Sequence, residues 1–433
     1  MSSDVETSPD VEVRLAPAEG TPRVLSDIDD IINAGEQLAK GHGWLAVDTE
    51  RASAYRYDDR AFLLQFRRHG AGTFLIDPED GRKAMAVFGS SVNDLTWIIH
   101  AAHSDLPCLA ALGLYPAKVI DTELAGRLLG LERVNLAALT ERLLGVGLAK
   151  GHGREDWSTR PLPADWLDYA ALDVELLIEL AEVLCQALAE LDRLEWLEQE
   201  CERELATNRK YLDGLHVGHS WQGLKGIGKL RTPEQLHVAR ALWTERDEIA
   251  QQRDVSPTHI MGHSVLRTIA EQLPGTQREL TAIRGFPRRR RGAADAWLRI
   301  VNEARQEPRS SWPKPQKPPR NEMPHFRRWA EHAPQAAEIF ETTRGCIDNV
   351  CAQIHLRKDT LITSAQTREL VWWIHSRAVD SFVFRHHDNY AGGLPAVTEI
   401  SAHLSEQGFR PWQAHLLADV IGANVLAPMR HPL

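Results

Sequence analysis

From Trp44 to about Gly130 the chain alternates two hydrophobic patterns. WLAVDTE, AFLLQFRR, GTFLID and LTWIIHA are short apolar runs of strand length, whereas GRKAMAVFGSS and SDLPCLAALG carry a helical pattern. Such alternation predicts an α/β unit. VNLAALTERLLGV follows as an amphipathic helix, and the stretch from Pro163 to Leu205 reads as a long helical run with a break inside it.

Beyond the glycine-rich GHSWQGLKGIGKL the pattern is helical throughout. That segment lacks the GxxxxGK[ST] spacing of a phosphate loop and reads as a flexible connector. Thr232 and Pro233 form an N-cap and first-turn pair opening the next helix. PRSSWPKPQKPPR packs prolines too densely for helix and reads as a semi-rigid linker. The expected division is a loose tail at 1–22, the α/β unit at 23–215, a helical unit at 228–308, the linker at 309–320 and a second helical unit at 321–433.

Length agrees with several domains, since the chain has 433 residues. The net charge of −10 argues against a surface coated for nucleic acid, but leaves room for a local basic groove. The five cysteines include no CxxC pair, so a zinc ribbon is not expected and reduced thiols are. The acidic, polar N-terminal stretch lacks the basic-then-apolar order of a secretion signal, and no apolar run approaches the ~20 residues of a membrane span. A cytoplasmic location with no membrane partner follows as the expectation; protein partners are not legible.

Chemistry enters with the acidic residues. Asp48 and Glu50 lie two apart on a strand, so they share a face. Asp105 sits where an apolar strand gives way to a helix, in whose first turn an acid favours the dipole. Tyr169 and Asp173 are four apart and stack on one helical face. Each feature alone has an ordinary structural explanation. Together, four carboxylates and a tyrosine suit a pair of divalent cations bridging one phosphodiester, with hard oxygens favouring Mg²⁺ or Mn²⁺.

In this order the motifs resemble ribonuclease D, of the DEDD superfamily of 3′→5′ exonucleases. VDTE carries the first motif, IIHAAHSDLPCL the second and YAALDV the third; IDTELAGRLLG and WSTRPLP also match stretches typical of that family. Asp168 stands where the histidine branch has its histidine, so the tyrosine branch fits. The resemblance covers residues 40–205 and extends to a tail resembling one or two HRDC modules. It implies an α/β exonuclease (ribonuclease H-like) domain with a mixed sheet, followed by one or two all-α HRDC-like domains.

The resemblance also implies roles. Asp48, Glu50 and Asp173 would hold the ion that activates water, Asp48 and Asp105 the second ion, and Tyr169 would orient the attacking water. The activity expected is release of nucleoside 5′-monophosphates from RNA with a free 3′ end, such as tRNA precursors. A 3′→5′ DNA exonuclease in repair and a non-catalytic nucleic-acid-binding scaffold are the alternatives. For holding the strand, the sequence offers Arg51, Arg56, Arg60, Arg67 and Arg68 beside the first motif, and the run Arg288, Arg289, Arg290 and Arg291. His100 and His103 are expected to pack or cap near Asp105, and Trp372 and Trp373 offer aromatic surface.

Overall fold

The computed structural model describes residues 12–149, 151–215, 220–288, 292–314, 323–384 and 393–430. The α/β unit starts with strands β1 (Glu12–Arg14) and β2 (Val24–Leu25), helix α1 (Ile28–Lys40), and strands β3 (His42–Arg51), β4 (Ala61–His69) and β5 (Gly72–Ile76). It continues with α2 (Met85–Val92), β6 (Thr96–Ile99), α3 (Leu106–Ala111), β7 (Lys118–Asp121), α4 (Thr122–Leu128), α5 (Leu136–Leu144) and β8 (Val146–Leu148). Three helices complete it: α6 (Ala164–Glu175), α7 (Leu177–Glu190) and α8 (Leu194–Asn208).

Six strands form one mixed sheet in the order β2-β5-β4-β3-β6-β7. The β3-β4-β5 pairs are antiparallel, and β6 and β7 extend the sheet in parallel from β3. Strand β3 is central, which explains its unbroken run of buried Leu45, Ala46 and Val47. Helix α1 closes one face with Ile31, Ala34 and Leu38, a stripe at helical spacing, and Asp27 caps it by accepting from the Asp29 amide at 2.9 Å. Helix α6 covers the opposite face, where Leu63 and Leu75 meet Ala170, Ala171 and the fully buried Trp157.

Of the expected loose tail at 1–22, residues 12–22 are described, and they are tied to the α/β unit. Strand β1 pairs with β8, and the chain then crosses α6. The Ala18 amide donates to Glu175 at 2.8 Å, Arg14 lies 3.4 Å from the same carboxylate, and the Thr21 hydroxyl donates to Asp168. A three-residue strand held mostly by main-chain and polar contacts leaves no hydrophobic period to detect.

Two helical units follow. The first holds α9 (Pro233–Arg253), α10 (Pro257–Ile260), α11 (His263–Gln272), α12 (Gln277–Ala282) and α13 (Ala293–Gln306), around a core of its own that includes Leu242, Leu266, Ile269 and Val301. The glycine-rich connector belongs to that core and is not a free tether: Leu224 and Leu230 are buried in it. The second unit holds α14 (Trp329–His332), α15 (Pro334–Gln353), α16 (Lys358–Leu361), α17 (Ser364–Phe384), α18 (Val397–Glu406) and α19 (Pro411–Ile421).

The two units attach differently. The second shares one hydrophobic core with the α/β unit. Trp412 stacks on Trp196 with centroids 4.5 Å apart and donates to Glu200 at 2.9 Å, while Arg193 donates to the carbonyls of Leu128 and Ile354. Gly130, at φ +74°, lies so close that a Cβ would collide with the His355 carbonyl.

The first unit is held mainly by polar contacts to the loop between β3 and β4, with the Tyr57 ring packed against its core. Asp254, at the end of α9, accepts from Arg60 at 3.0 and 2.7 Å and from Arg56 at 3.4 Å. The Tyr57 hydroxyl donates to Asp247 at 2.8 Å, and the Ser256 amide donates to the Tyr55 carbonyl at 3.0 Å. The Arg60 hydrogen bond holds the Asp254 carboxyl below its ordinary range.

Bidentate geometry raises the worth of this pair, while partial exposure and salt reduce it. A double-mutant cycle of Arg60→Ala and Asp254→Ala is expected to give a coupling of ~1 kcal/mol that shrinks with added salt. Chemical denaturation checks it, and a coupling indistinguishable from zero at low salt would show that other contacts hold the joint.

Candidate active site

Strand β6 pairs with β3 only at Leu45 and Ala46, so the carboxyl half of β3 runs on past its parallel neighbour. A crevice beyond the carboxyl ends of parallel strands is where open α/β sheets bind ligands. Asp48 lies across from Gln65 and Glu50 across from Leu63, and that side of the sheet is the one covered by α6. Helix α6 brings Tyr169 and Asp173 there, one turn apart, and the Tyr169 hydroxyl donates to Asp173.

One carboxylate oxygen each from Asp48, Glu50 and Asp173 lie within 4.8 Å of one another. Asp105 lines the same cleft, a space of about 260 Å³, but stands outside this tight group. Its Oδ1 accepts from Thr49 Oγ1 at 2.6 Å and its Oδ2 from Ser104 Oγ at 2.8 Å, and Arg51 Nη2 is 3.9 Å away. Helix α3 begins at Leu106 and Asp105 occupies its cap position without bonding a helix amide. Its carboxylate oxygens are taken up by Thr49 and Ser104 in place of capping the helix.

Electrostatics follow from crowding. Burial pushes the Asp48 carboxyl well above its usual range, and the charges of Asp105 and Asp173 push it further. Glu50 is raised in the same way, first by burial and then by Asp48, Asp173 and Asp105. Burial lifts Asp173 to about 7, against the opposing Tyr169 hydrogen bond. Asp105 is raised by burial despite Arg51, Thr49 and Ser104. Tyr169 is held above its ordinary value by burial and the carboxylates around it, so its phenol keeps its proton.

The arginines divide sharply. Arg51 lines the cleft. Arg60 and Arg56 are committed to Asp254, Arg68 donates to the carbonyls of Leu38 and Gly43, and Arg67 donates to Thr73 at 2.8 Å. Arg288 is exposed, and Arg289, Arg290 and Arg291 lie outside the described residues. His100 contacts the Thr122 hydroxyl at 2.9 Å, and burial lowers its pKa to about 4. Trp372 and Trp373 belong to the second helical unit, where Trp373 stacks on His403.

Sequence reasoning missed several supporting residues. Thr49 and Ser104 fix Asp105. Asp121 accepts from the amides of Ala101 at 3.1 Å and Ala102 at 2.8 Å, fixing the turn that leads to Asp105, while also capping α4. A signal existed, since Asp121 ends a strand and opens a helix. The amide of Gln65, fully buried beside Asp48, has no hydrogen-bond partner. Buried carboxylates offering hard oxygens, next to an unpartnered amide, are a donor set that fits a divalent cation.

A 3′–5′ exonuclease family profile matches residues 22–189, an HRDC profile residues 235–301, and a profile for a 3′ to 5′ exonuclease C-terminal domain residues 322–425. Ribonuclease D of Pseudomonas paraeruginosa is 30% identical over 275 residues, 62% of this chain and 71% of that protein. The chain belongs to the ribonuclease D family. With that family it is a 3′–5′ exoribonuclease, whose members use divalent metal ions. A crystal structure of a Bifidobacterium adolescentis protein is 32% identical, with TM-score 0.79 over 96% of this chain and all of that one. Escherichia coli RNase D has the same fold at TM-score 0.63 and 23% identity, over 81% of this chain and 90% of that one. One helical unit is thus an HRDC domain. The second matches the exonuclease C-terminal profile, in place of the second HRDC copy that the sequence left open. Among the described residues no helix is long and apolar enough to cross a membrane.

The raised carboxyl groups make a pH prediction for the ribonuclease D fold stripped of metal. A carboxyl raised in the folded state binds protons that the unfolded chain has already released, so its contribution is full below pH ~4 and is lost as pH rises through the folded value. Chelated protein is therefore expected to lose thermal stability between pH ~4 and the Asp173 value of about 7. Mg²⁺ or Mn²⁺ should flatten that loss. Asp48→Asn, which removes one buried charge, should stabilise the chelated protein at pH 8 by on the order of 2 kcal/mol. Calorimetry with and without chelator checks both, and a metal-independent profile would contradict the assignment.

Proposed function

We propose that the protein hydrolyses RNA one nucleotide at a time from its 3′ end by a two-divalent-ion mechanism, releasing nucleoside 5′-monophosphates. The reading is carried by the convergence of Asp48, Glu50 and Asp173 within 4.8 Å, beside Tyr169 in a cleft shared with Asp105. Asp48, Glu50 and Asp173 would hold one ion; Asp48 and Asp105 would hold the other. Divalent ions bound there supply Lewis-acid stabilisation of phosphoryl charge and a lowered pKa for water.

The chain's own groups set the geometry. Asp48 and Glu50 are fixed by the central strand, and Asp173 by the packing of α6. Tyr169 is protonated, so its hydroxyl orients a water or a phosphate oxygen and does not take up a proton. Arg51 faces Asp105 and stands ready for the phosphate of an incoming strand. Substrates with unpaired 3′ ends, tRNA precursors among them, suit a cleft this narrow, because the terminal bond must leave any duplex to enter it.

End-labelled RNA incubated with Mg²⁺ or Mn²⁺ is expected to shorten stepwise from its 3′ end and to stay intact with chelator. Asp48→Asn and Asp173→Asn should each lower kcat by at least ~10³-fold, and Tyr169→Phe by about 10²-fold. Wild-type turnover in purified Asp48→Asn would refute the site. DNA of the same sequence, run in parallel, reports sugar preference: equal rates on both would replace exoribonuclease with general exonuclease.

A further inference from the structure

Gln65 occupies the register position opposite Asp48, within the stretch from Leu45 to Glu50 where β3 and β4 pair without a shift. Directly opposed residues of an antiparallel pair share a face, with Cβ atoms ~5 Å apart. That face is the one α6 covers, and Gln65 is fully buried beneath it. Both ends of its amide, Oε1 and Nε2, are shut off from solvent without a hydrogen-bond partner.

The neighbours on this face sort the two ends. Leu63 precedes Gln65 by two on β4, Leu75 opposes it on β5, and both belong to an apolar cluster with Ala170 and Ala171. Arg67 follows by two. Its Nη1 donates to Thr73 at 2.8 Å and lies 3.6 Å from Glu19, while its Nε is buried and unpartnered as well. An Nε–H only donates, so it suits the carbonyl end of the amide and not the NH2 end. Acceptors for the NH2 end are the carboxylates of β3: Asp48 directly opposite at ~5 Å, and Glu50 on the diagonal at ~7–8 Å.

A buried amide with neither end engaged is costly for a fold to keep. That cost is offset where the working state supplies a partner, and an ionised carboxylate is a strong one. Ligating carboxylates are oriented by such outer hydrogen bonds. Asp105 has its tethers in Thr49 and Ser104, and Asp173 has Tyr169. Gln65 is the matching group for Asp48, the carboxylate assigned to both ions.

We propose that Gln65 is a positioning residue: with divalent ions held, its NH2 group donates to the Asp48 carboxylate and fixes the orientation that serves both ions, the carbonyl end facing Arg67. The inference rests on the two-ion reading above. It adds to that reading a residue that touches neither ion nor RNA.

The test compares full-length wild type with Gln65→Met, which keeps the length of the side chain and removes both polar ends. Calorimetric titration with Mn²⁺ alone is expected to show affinity weakened about tenfold, and the Mn²⁺ concentration giving half-maximal hydrolysis of end-labelled RNA should rise in step. The chelated variant should melt no lower than chelated wild type, because the amide it loses bonds nothing there. Wild-type Mn²⁺ affinity in the variant would overturn the proposal; paired with a lowered melting temperature under chelation, it would mark the amide as a structural partner of Arg67 alone. Should Gln65→Met fail to fold, Gln65→Leu carries the same comparison. If wild type itself binds no Mn²⁺, the two-ion reading fails and this inference with it, whereas equal binding by wild type and variant sinks the inference only.

Discussion

Like charges held together away from water repel, and the candidate active-site cleft gathers four carboxylates against that repulsion. Everything around them resists their separation. Asp48 and Glu50 lie on a strand paired on both sides at Leu45 and Ala46 and held by β4 along their own stretch, so their backbone stays fixed in the sheet. Asp173 rides on α6, which is packed onto three strands and strapped from outside by the N-terminal segment through Asp168 and Glu175. Asp105 hangs from a turn that Asp121 fixes through two amides. The result is a braced cluster of hard oxygen donors whose residual repulsion a divalent cation would relieve.

Tyr169 illustrates how the same crowding sets protonation states. Burial and adjacent negative charge both oppose phenolate formation, so the ring is confined to donating and positioning. Arg51 moves in the opposite sense, held as a cation by the carboxylates it faces even though burial opposes its charge. One electrostatic field thus keeps a neutral donor and a fixed positive charge in the same cleft.

What was legible in the sequence was periodicity. Spacing two on a strand and four on a helix placed Asp48 with Glu50 and Tyr169 with Asp173, because those geometries are local. Asp105 was legible only in combination, and its tethers to Thr49 and Ser104 were not, since they span the gap between β3 and α3. The arginines misled for a related reason. Five of them crowd beside the first motif, yet their partners are set by tertiary structure: an HRDC aspartate for Arg60, main-chain carbonyls for Arg68. The glycine-rich connector looked loose because its few apolar residues, Leu224 and Leu230, find their partners on helices far along the chain.

The two helical units also differ in what their attachments permit. The C-terminal unit joins by apolar burial and an indole stack, which salt does not screen and which tolerate no gap. The HRDC domain joins by arginine–aspartate and tyrosine–aspartate contacts at one end of α9, and beside that joint a cleft of about 800 Å³ stays open. Polar joints are satisfied by water nearly as well as by each other, so they lose less when two surfaces part. Arg246 lies on the same helix as Asp247 and Asp254, two of the residues that make the joint. Any shift of α9 at this attachment therefore moves the buried Arg246 side chain relative to the carboxylate cluster, whereas a shift of the C-terminal unit would first have to break the shared core.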